Sequence, residues 1–310
     1  MPLDPSVKVL LESLGEMGNG LSAMGVEEAR QAIELFAELG KGVEVARVED
    51  LTIPEPTGDI PARLYVPEVP GGGGPPPTVV YFHGGGWVIG NIASHDGICR
   101  KLANASGCAI VSVDYKLAPE HQFPAAPQDC YTAVCWIHEH GAGLGIDTSR
   151  LAVAGDSAGG NLSAVTAQLC RERGGPAIAF QLLVYPATDL TLSHPSVEEN
   201  AEGYLLTKAD MKWFKDHYLG GQDPKNPLAS PLYATDLGGL PPALVLTAEF
   251  DPLRDEGEAY ATALQQAGVE ARASRYDGLI HGFFGLEAVI PAAAPAMEEA
   301  AAALRVALKA

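Results

Sequence analysis

The sequence predicts an α/β fold built on a mostly parallel sheet, and three features carry that expectation. Six short apolar runs recur between residues 78 and 276, helical stretches separate them, and an alternating β-branched pair of segments comes before them. Runs buried on both faces and joined through helices are what a parallel sheet covered on each side requires. With 310 residues and 47% hydrophobic content, the chain can fill a substantial core.

In chain order, residues 5–14 and 26–39 carry apolar side chains at helical spacing, among them Ile33, Phe36 and Ala37, with Glu27 and Glu28 near the start of the second helix and Gly40 past its end. Residues 43–66 then alternate (Val43, Val45, Val48; Ile60, Ala62, Leu64, Val66) around a turn from Pro54 to Gly58, which predicts an antiparallel strand pair. Gly71 to Gly74 and Pro75 to Pro77 read as an exposed loop outside any strand. The six runs follow at 78–82, 109–113, 151–154, 180–185, 243–247 and 271–276, which brings the sheet to eight strands. Between 186 and 232 the rhythm breaks into a segment rich in charge, aromatics and proline, a candidate lid over the carboxyl edge of the sheet. The expected organisation is cap helices at 1–45, a catalytic domain at 46–185 and 233–310, and a cap insertion at 186–232.

Charge and cysteine usage exclude several classes of function. Lys and Arg total 20 against 39 for Asp and Glu, and the net charge of −19 opposes binding to nucleic acid or an anionic membrane. Five cysteines, an odd number with no C-x-x-C pair, are expected as reduced core thiols, which suits a cytoplasmic protein. The N-terminus lacks the basic and apolar regions of a secretory signal, and no apolar stretch approaches membrane-spanning length. The one clustered metal candidate, His138-Glu139-His140, has its histidines two residues apart, so on a helix they point in different directions.

The strongest chemical signal is Gly155-Asp156-Ser157-Ala158-Gly159-Gly160, which fits G-x-S-x-G and stands between the 151–154 strand and a helical run. A strand turning at once into a helix forces its central residue into a strained conformation, so the neighbours must be small and the hydroxyl is thrust out at the sheet edge. A serine needs a base, and on this scaffold the partners follow in the order Ser, Asp or Glu, His. His194, His217 and His281 alone follow Ser157; the first two sit in the 186–232 segment, which leaves His281. Asp251, just after the 243–247 strand, is the candidate acid; Asp255 and Glu256 compete, although the macrodipole of the helix they open accounts for them equally well. The glycines of His83-Gly84-Gly85-Gly86-Trp87, directly after the 78–82 strand, let backbone amides approach an oxyanion, together with the amide of Ala158. Asp156 and His83 are candidates for supporting hydrogen bonds, with structural roles as the alternative. Trp213, Phe214, Leu205 and Leu206 are candidates for an acyl pocket beside Trp87, against ordinary packing.

With these motifs in hand, the chain resembles the bacterial hormone-sensitive-lipase family of esterases over essentially its whole length. HGGGW at 83–87, DYKLAPEHQFPAA at 114–126, GDSAGG at 155–160, DPLRDEG at 251–257 and HGF at 281–283 carry the resemblance. It implies an α/β-hydrolase fold with a helical cap, a triad of Ser157, Asp251 and His281, and an oxyanion hole from the amides of Gly85, Gly86 and Ala158, with Gly84 shaping the turn. It also implies hydrolysis of short- to medium-chain acyl esters of small molecules without a cofactor, and a homodimer among the possible assemblies. A ligand receptor on the same scaffold is disfavoured because such relatives typically lose the histidine retained here as His281. An amidase would use the same residues.

Overall fold

All six residues of the strand from Pro77 to Phe82 are buried, and their side chains divide by the two-residue period of a strand: Val80 and Phe82 enter one core, Val79 and Tyr81 the other. This division organises the whole protein, for which a computed structural model describes residues 2–14, 20–37, 43–68 and 74–310. Eight strands form one sheet: β1 (Arg47–Ile53), β2 (Ile60–Val66), β3 (Pro77–Phe82), β4 (Ala109–Val113), β5 (Asp147–Asp156), β6 (Phe180–Val184), β7 (Ala243–Phe250) and β8 (Ala271–Ile280). Their order is β1-β2-β4-β3-β5-β6-β7-β8. The β1–β2 and β2–β4 pairs are antiparallel, and every later pairing is parallel. The mostly parallel sheet expected from the sequence is therefore present.

The helices are α1 (Pro5–Leu14), α2 (Val26–Ala37), α3 (Asp96–Ser106), α4 (Ala125–Leu144), α5 (Ala158–Arg173), α6 (Pro195–Glu199), α7 (Lys208–Leu219), α8 (Arg254–Gln266) and α9 (Ala294–Leu308). Buried residues of α4, α5 and α8 share one core with Val80 and Phe82, while those of α3 and α9 share the other with Val79 and Tyr81. Arg30 of α2 ties the N-terminal segment to the sheet's edge, donating to the carbonyls of Val88 and Ala118 and pairing with Glu120. From β3 the chain passes to β4 on one side and then to β5 on the other. At such a reversal the loops leaving adjacent strands diverge and open a crevice at the carboxyl ends.

The element boundaries depart from the sequence reading in instructive ways. Pro77, expected in a loop, is the first residue of β3 and pairs with Asp147; the first position of a strand tolerates a residue that donates no hydrogen bond. Gly74 and Pro75 are exposed as expected, while Gly71 to Gly73, Gly40 and residues 38–39 lie outside the described residues. Strands β5, β7 and β8 run past their apolar runs to Asp156, Phe250 and Ile280: Gly155-Asp156, Glu249 and Asp277-Gly278 break the apolar pattern, and the β7–β8 pairing shifts register between Ala248 and Phe250 before it resumes at Phe250 and Ile280. All five cysteines are free. His138 and His140 are exposed on α4, each ring bonded through Nδ1 to a different backbone carbonyl, Thr148 and Trp136. Among the described residues, no helix is long and apolar enough to cross a membrane.

Candidate active site

Strand β5 ends at Asp156 and α5 begins at Ala158, so Ser157 alone makes the turn, with φ 55° and ψ −117°. A side-chain-bearing residue at positive φ is strained, and here the surroundings hold it: the Ser157 amide donates to the Val184 carbonyl at 2.8 Å, and its own carbonyl accepts from Asn161 at 3.0 Å. The elbow also needs Gly159. A Cβ at that position would lie 1.8 Å from the carbonyl oxygen of Phe82, so only glycine lets α5 start this close to β3.

Asp251 follows the last residue of β7 and His281 follows the last residue of β8, which delivers both to the edge where Ser157 emerges. The His281 Nδ1–H donates to Asp251 Oδ2 at 2.8 Å, and the Ser157 hydroxyl lies 3.0 Å from Nε2. A carboxylate can only accept, so Nδ1 carries the ring proton and Nε2 is free to take the proton of the serine. Asp251 is wholly buried, and its other oxygen accepts the Leu253 amide at 2.8 Å, which fixes the carboxylate plane. The competing acids are engaged elsewhere. Asp255 pairs with Arg254 and accepts the Ser196 amide; Glu256 accepts the amides of Thr188 and Asp189.

Glu256 is not the solvated first-turn carboxylate that a macrodipole role implies. It is completely buried, and burial first, then the charges of Asp189 and Asp251, raise its pKa well above the usual carboxyl range against the two backbone amides. Burial therefore favours the protonated form of this carboxyl.

The glycine loop after β3 is anchored on both sides. The buried His83 ring stacks on Tyr115, with centroids 4.3 Å apart, and its Nδ1 lies 2.7 Å from the Gly84 carbonyl oxygen. Burial holds this imidazole neutral, its pKa lowered to about 3, so Nδ1 carries the proton and donates. Asp156 accepts from the Tyr81 hydroxyl at 2.7 Å and from the Gly84 amide at 3.1 Å. Burial would push the Asp156 carboxyl up, but the His95 ring and the Tyr81 hydroxyl outweigh it, and the group sits below its ordinary value. Among the described residues, the amides of Gly85, Gly86 and Ala158 donate to no backbone carbonyl.

A cavity of about 440 Å³ opens over these groups, and Ser157, Ala158, His281 and Gly84 to Gly86 all line it. Of the acyl-pocket candidates, Trp87, Leu205, Leu206 and Phe214 also line it; Trp213 lies outside the lining and packs against Phe214 and His217. The sequence reading missed His95, Asp189 and Glu256 in this wall, and also the contributions of Leu11, Leu21 and Ile33 from the N-terminal segment. His194, set aside as a base, lies with its Nε2 3.3 Å from Asp189.

Comparison with known proteins agrees with this geometry. A family profile described as alpha/beta hydrolase fold matches residues 79–285. The chain is 43% identical to carboxylesterase NlhH of Mycobacterium tuberculosis, covering 99% of this chain and 97% of that one. It is likewise 43% identical to carboxylic ester hydrolase LipN of the same organism, over 98% of this chain and 82% of the relative. Among solved structures, a hyperthermophilic esterase from Pyrobaculum calidifontis superposes with a TM-score of 0.90 at 45% identity, covering 99% of both chains.

Proposed function

Because the chain belongs to the α/β-hydrolase family, in its hormone-sensitive-lipase group, we propose that it is a serine carboxylesterase acting on short- to medium-chain acyl esters. One observation carries the proposal: the His281 ring stands between the Asp251 carboxylate at 2.8 Å and the Ser157 hydroxyl at 3.0 Å. That is the arrangement in which an imidazole can remove a serine proton while a buried carboxylate steadies the resulting cation.

In the first half-reaction, His281 Nε2 takes the hydroxyl proton as Ser157 Oγ attacks the ester carbonyl. The amides of Gly85, Gly86 and Ala158 receive the oxyanion, each worth on the order of 3 kcal/mol of barrier. His281 then returns the proton to the alcohol, which leaves, and an acyl-enzyme remains. In the second half, water gives a proton to His281 as it attacks the acyl carbon, the bond to Ser157 Oγ breaks, and His281 returns the proton to that oxygen as the acid leaves. Asp251 stays ionised throughout and accepts the Nδ1–H.

His83 supports this chemistry through one peptide plane. The Gly84 carbonyl and the Gly85 N–H belong to the same planar trans unit and point in opposite directions, so the bond from His83 Nδ1 to the Gly84 oxygen orients the Gly85 donor. The apolar cavity wall suits the acyl and alcohol chains of uncharged esters, and we assign α1, α2 and residues 186–232 to a cap that supplies much of it. Five free cysteines, four of them buried, support a cytoplasmic location. The test is hydrolysis of p-nitrophenyl butyrate: Ser157→Ala should lose at least about 10⁴-fold in kcat, and a variant that keeps full turnover would end the nucleophile assignment.

A further inference from the structure

His95 belongs to none of the motifs that identify the site, yet it lines the cavity, and its ring nitrogens contact Ser94, Asp156 and Gly84. It stands just before α3, 8% exposed, with Nδ1 2.9 Å from Ser94 Oγ and Nε2 3.3 Å and 3.4 Å from the two oxygens of Asp156. Nε2 also lies 3.2 Å from the Gly84 amide nitrogen, so the ring touches the glycine loop as well as the carboxylate. Because a carboxylate can only accept, Nε2 carries a proton and donates to Asp156, and the Gly84 N–H goes to Asp156 Oδ1 at 3.1 Å. Both ring nitrogens are thereby committed to protein partners, which excludes His95 as an acid or base acting on substrate.

What the ring does hold is the carboxylate. Asp156 is the residue before the nucleophile, and the glycine loop lies directly on it: a Cβ added to Gly84 would sit 2.3 Å from Asp156 Oδ2. The same carboxylate accepts the Gly84 amide. Tyr81 reaches it from β3 and His95 from the start of α3, so its rotation is blocked from two elements. Because the Gly84 amide leads into the peptide that presents the Gly85 N–H, a shift of the carboxylate is passed on to the oxyanion donors.

We infer that His95 is a positioning residue for the oxyanion hole, acting through Asp156 on the glycine loop. The inference rests on the esterase reading, and the test separates the two. With p-nitrophenyl butyrate, His95→Ala lowers kcat by about 10- to 100-fold, the order of loss expected when a donor is displaced, while KM stays within about threefold. Butylboronic acid forms a tetrahedral adduct on the serine and probes the hole directly; its Ki rises in His95→Ala by the same factor as kcat falls. His95→Gln, whose amide can still donate to Asp156, recovers most of the lost kcat. Should His95→Ala fail to fold, His95→Gln and Ser94→Ala carry the test, each lowering kcat and boronate affinity together and by less.

The inference is overturned if kcat is unaffected, if kcat falls with boronate affinity unchanged, or if glutamine rescues no better than alanine. Those outcomes leave the esterase reading standing as long as wild type is active and Ser157→Ala is not. A Ser157→Ala protein with full activity would instead remove the reading itself.

Discussion

Replacing Glu256 by glutamine should make the protein less sensitive to rising pH, and the size of the effect follows from its burial. The side chain is completely buried; Oε1 accepts the Thr188 amide at 2.7 Å and the Asp189 amide at 3.1 Å, and Oε2 has no hydrogen-bond partner among the described residues. A glutamine carbonyl can accept the same two amides with the same shape and no titration. In wild type the native carboxyl stays protonated well above its ordinary value of 4.5, whereas the unfolded chain ionises there. Over that window the folded state binds one more proton than the unfolded state, so stability falls as pH rises. The loss is about 1.4 kcal/mol per pH unit for as long as the native group keeps its proton. At about 2 °C per kcal/mol for a chain of this length, the Tm of Glu256→Gln should gain about 3 °C on wild type per pH unit above pH 5 while that proton is held. Thermal melts of both proteins at pH 5, 6, 7 and 8 measure this. Parallel Tm curves would show that the native carboxyl ionises normally and would refute the reasoning.

Two further substitutions probe the site from either side of the serine. Asp251→Asn keeps the shape of the buried acid but can present an N–H to His281 Nδ1, favouring the wrong tautomer; kcat should fall by about 10⁴-fold, and a steady-state assay showing less than a tenfold loss would contradict the role given to Asp251. Phe214→Ala removes a ring that lines the cavity and lies where a Gly86 Cβ would be, 2.2 Å from its nearest carbons. It should move the preferred acyl length of p-nitrophenyl esters upward and cost about 3–5 kcal/mol of stability in urea unfolding, and an unchanged chain-length profile would take Phe214 out of the acyl pocket.

The parts of the site that could be read from the sequence are those in which chemistry and chain order coincide. Ser157, Asp251 and His281 each stand directly after a strand, and the ends of parallel strands share one edge, so finding the strands was enough to bring the three residues together. His95, Asp189 and Glu256 offered no such signal. Their roles depend on burial and on contacts between segments 61 to 68 residues apart, such as His95 with Asp156 or Glu256 with Thr188 and Asp189. Trp213 is a different kind of failure, because a signal was available. On α7, Met211, Phe214 and Tyr218 recur at spacings of three and four and are buried, while Trp213 and His217, four apart, lie on the neighbouring, less buried face and pack on each other. Helical spacing therefore separates Phe214 from Trp213, although composition treats the two aromatics alike.

The buried face of α7 also joins two requirements that an esterase meets with one packing arrangement. Phe214 fills the space over Gly86, a cavity-lining residue at φ 56°. One turn further along, Tyr218 stacks on Trp87, with ring centroids 4.3 Å apart and planes within 5°. At its start, α7 is capped by Thr207 and Asp210, and the same Asp210 accepts the amide of Ser22 at 2.7 Å, which fastens the N-terminal segment to the helix. The helix that lines the cavity is thus also the one packed on the glycine loop after β3. On the proposed mechanism, substitutions on its inner face should therefore change kcat along with KM, because this cavity wall and the glycine loop cannot move independently.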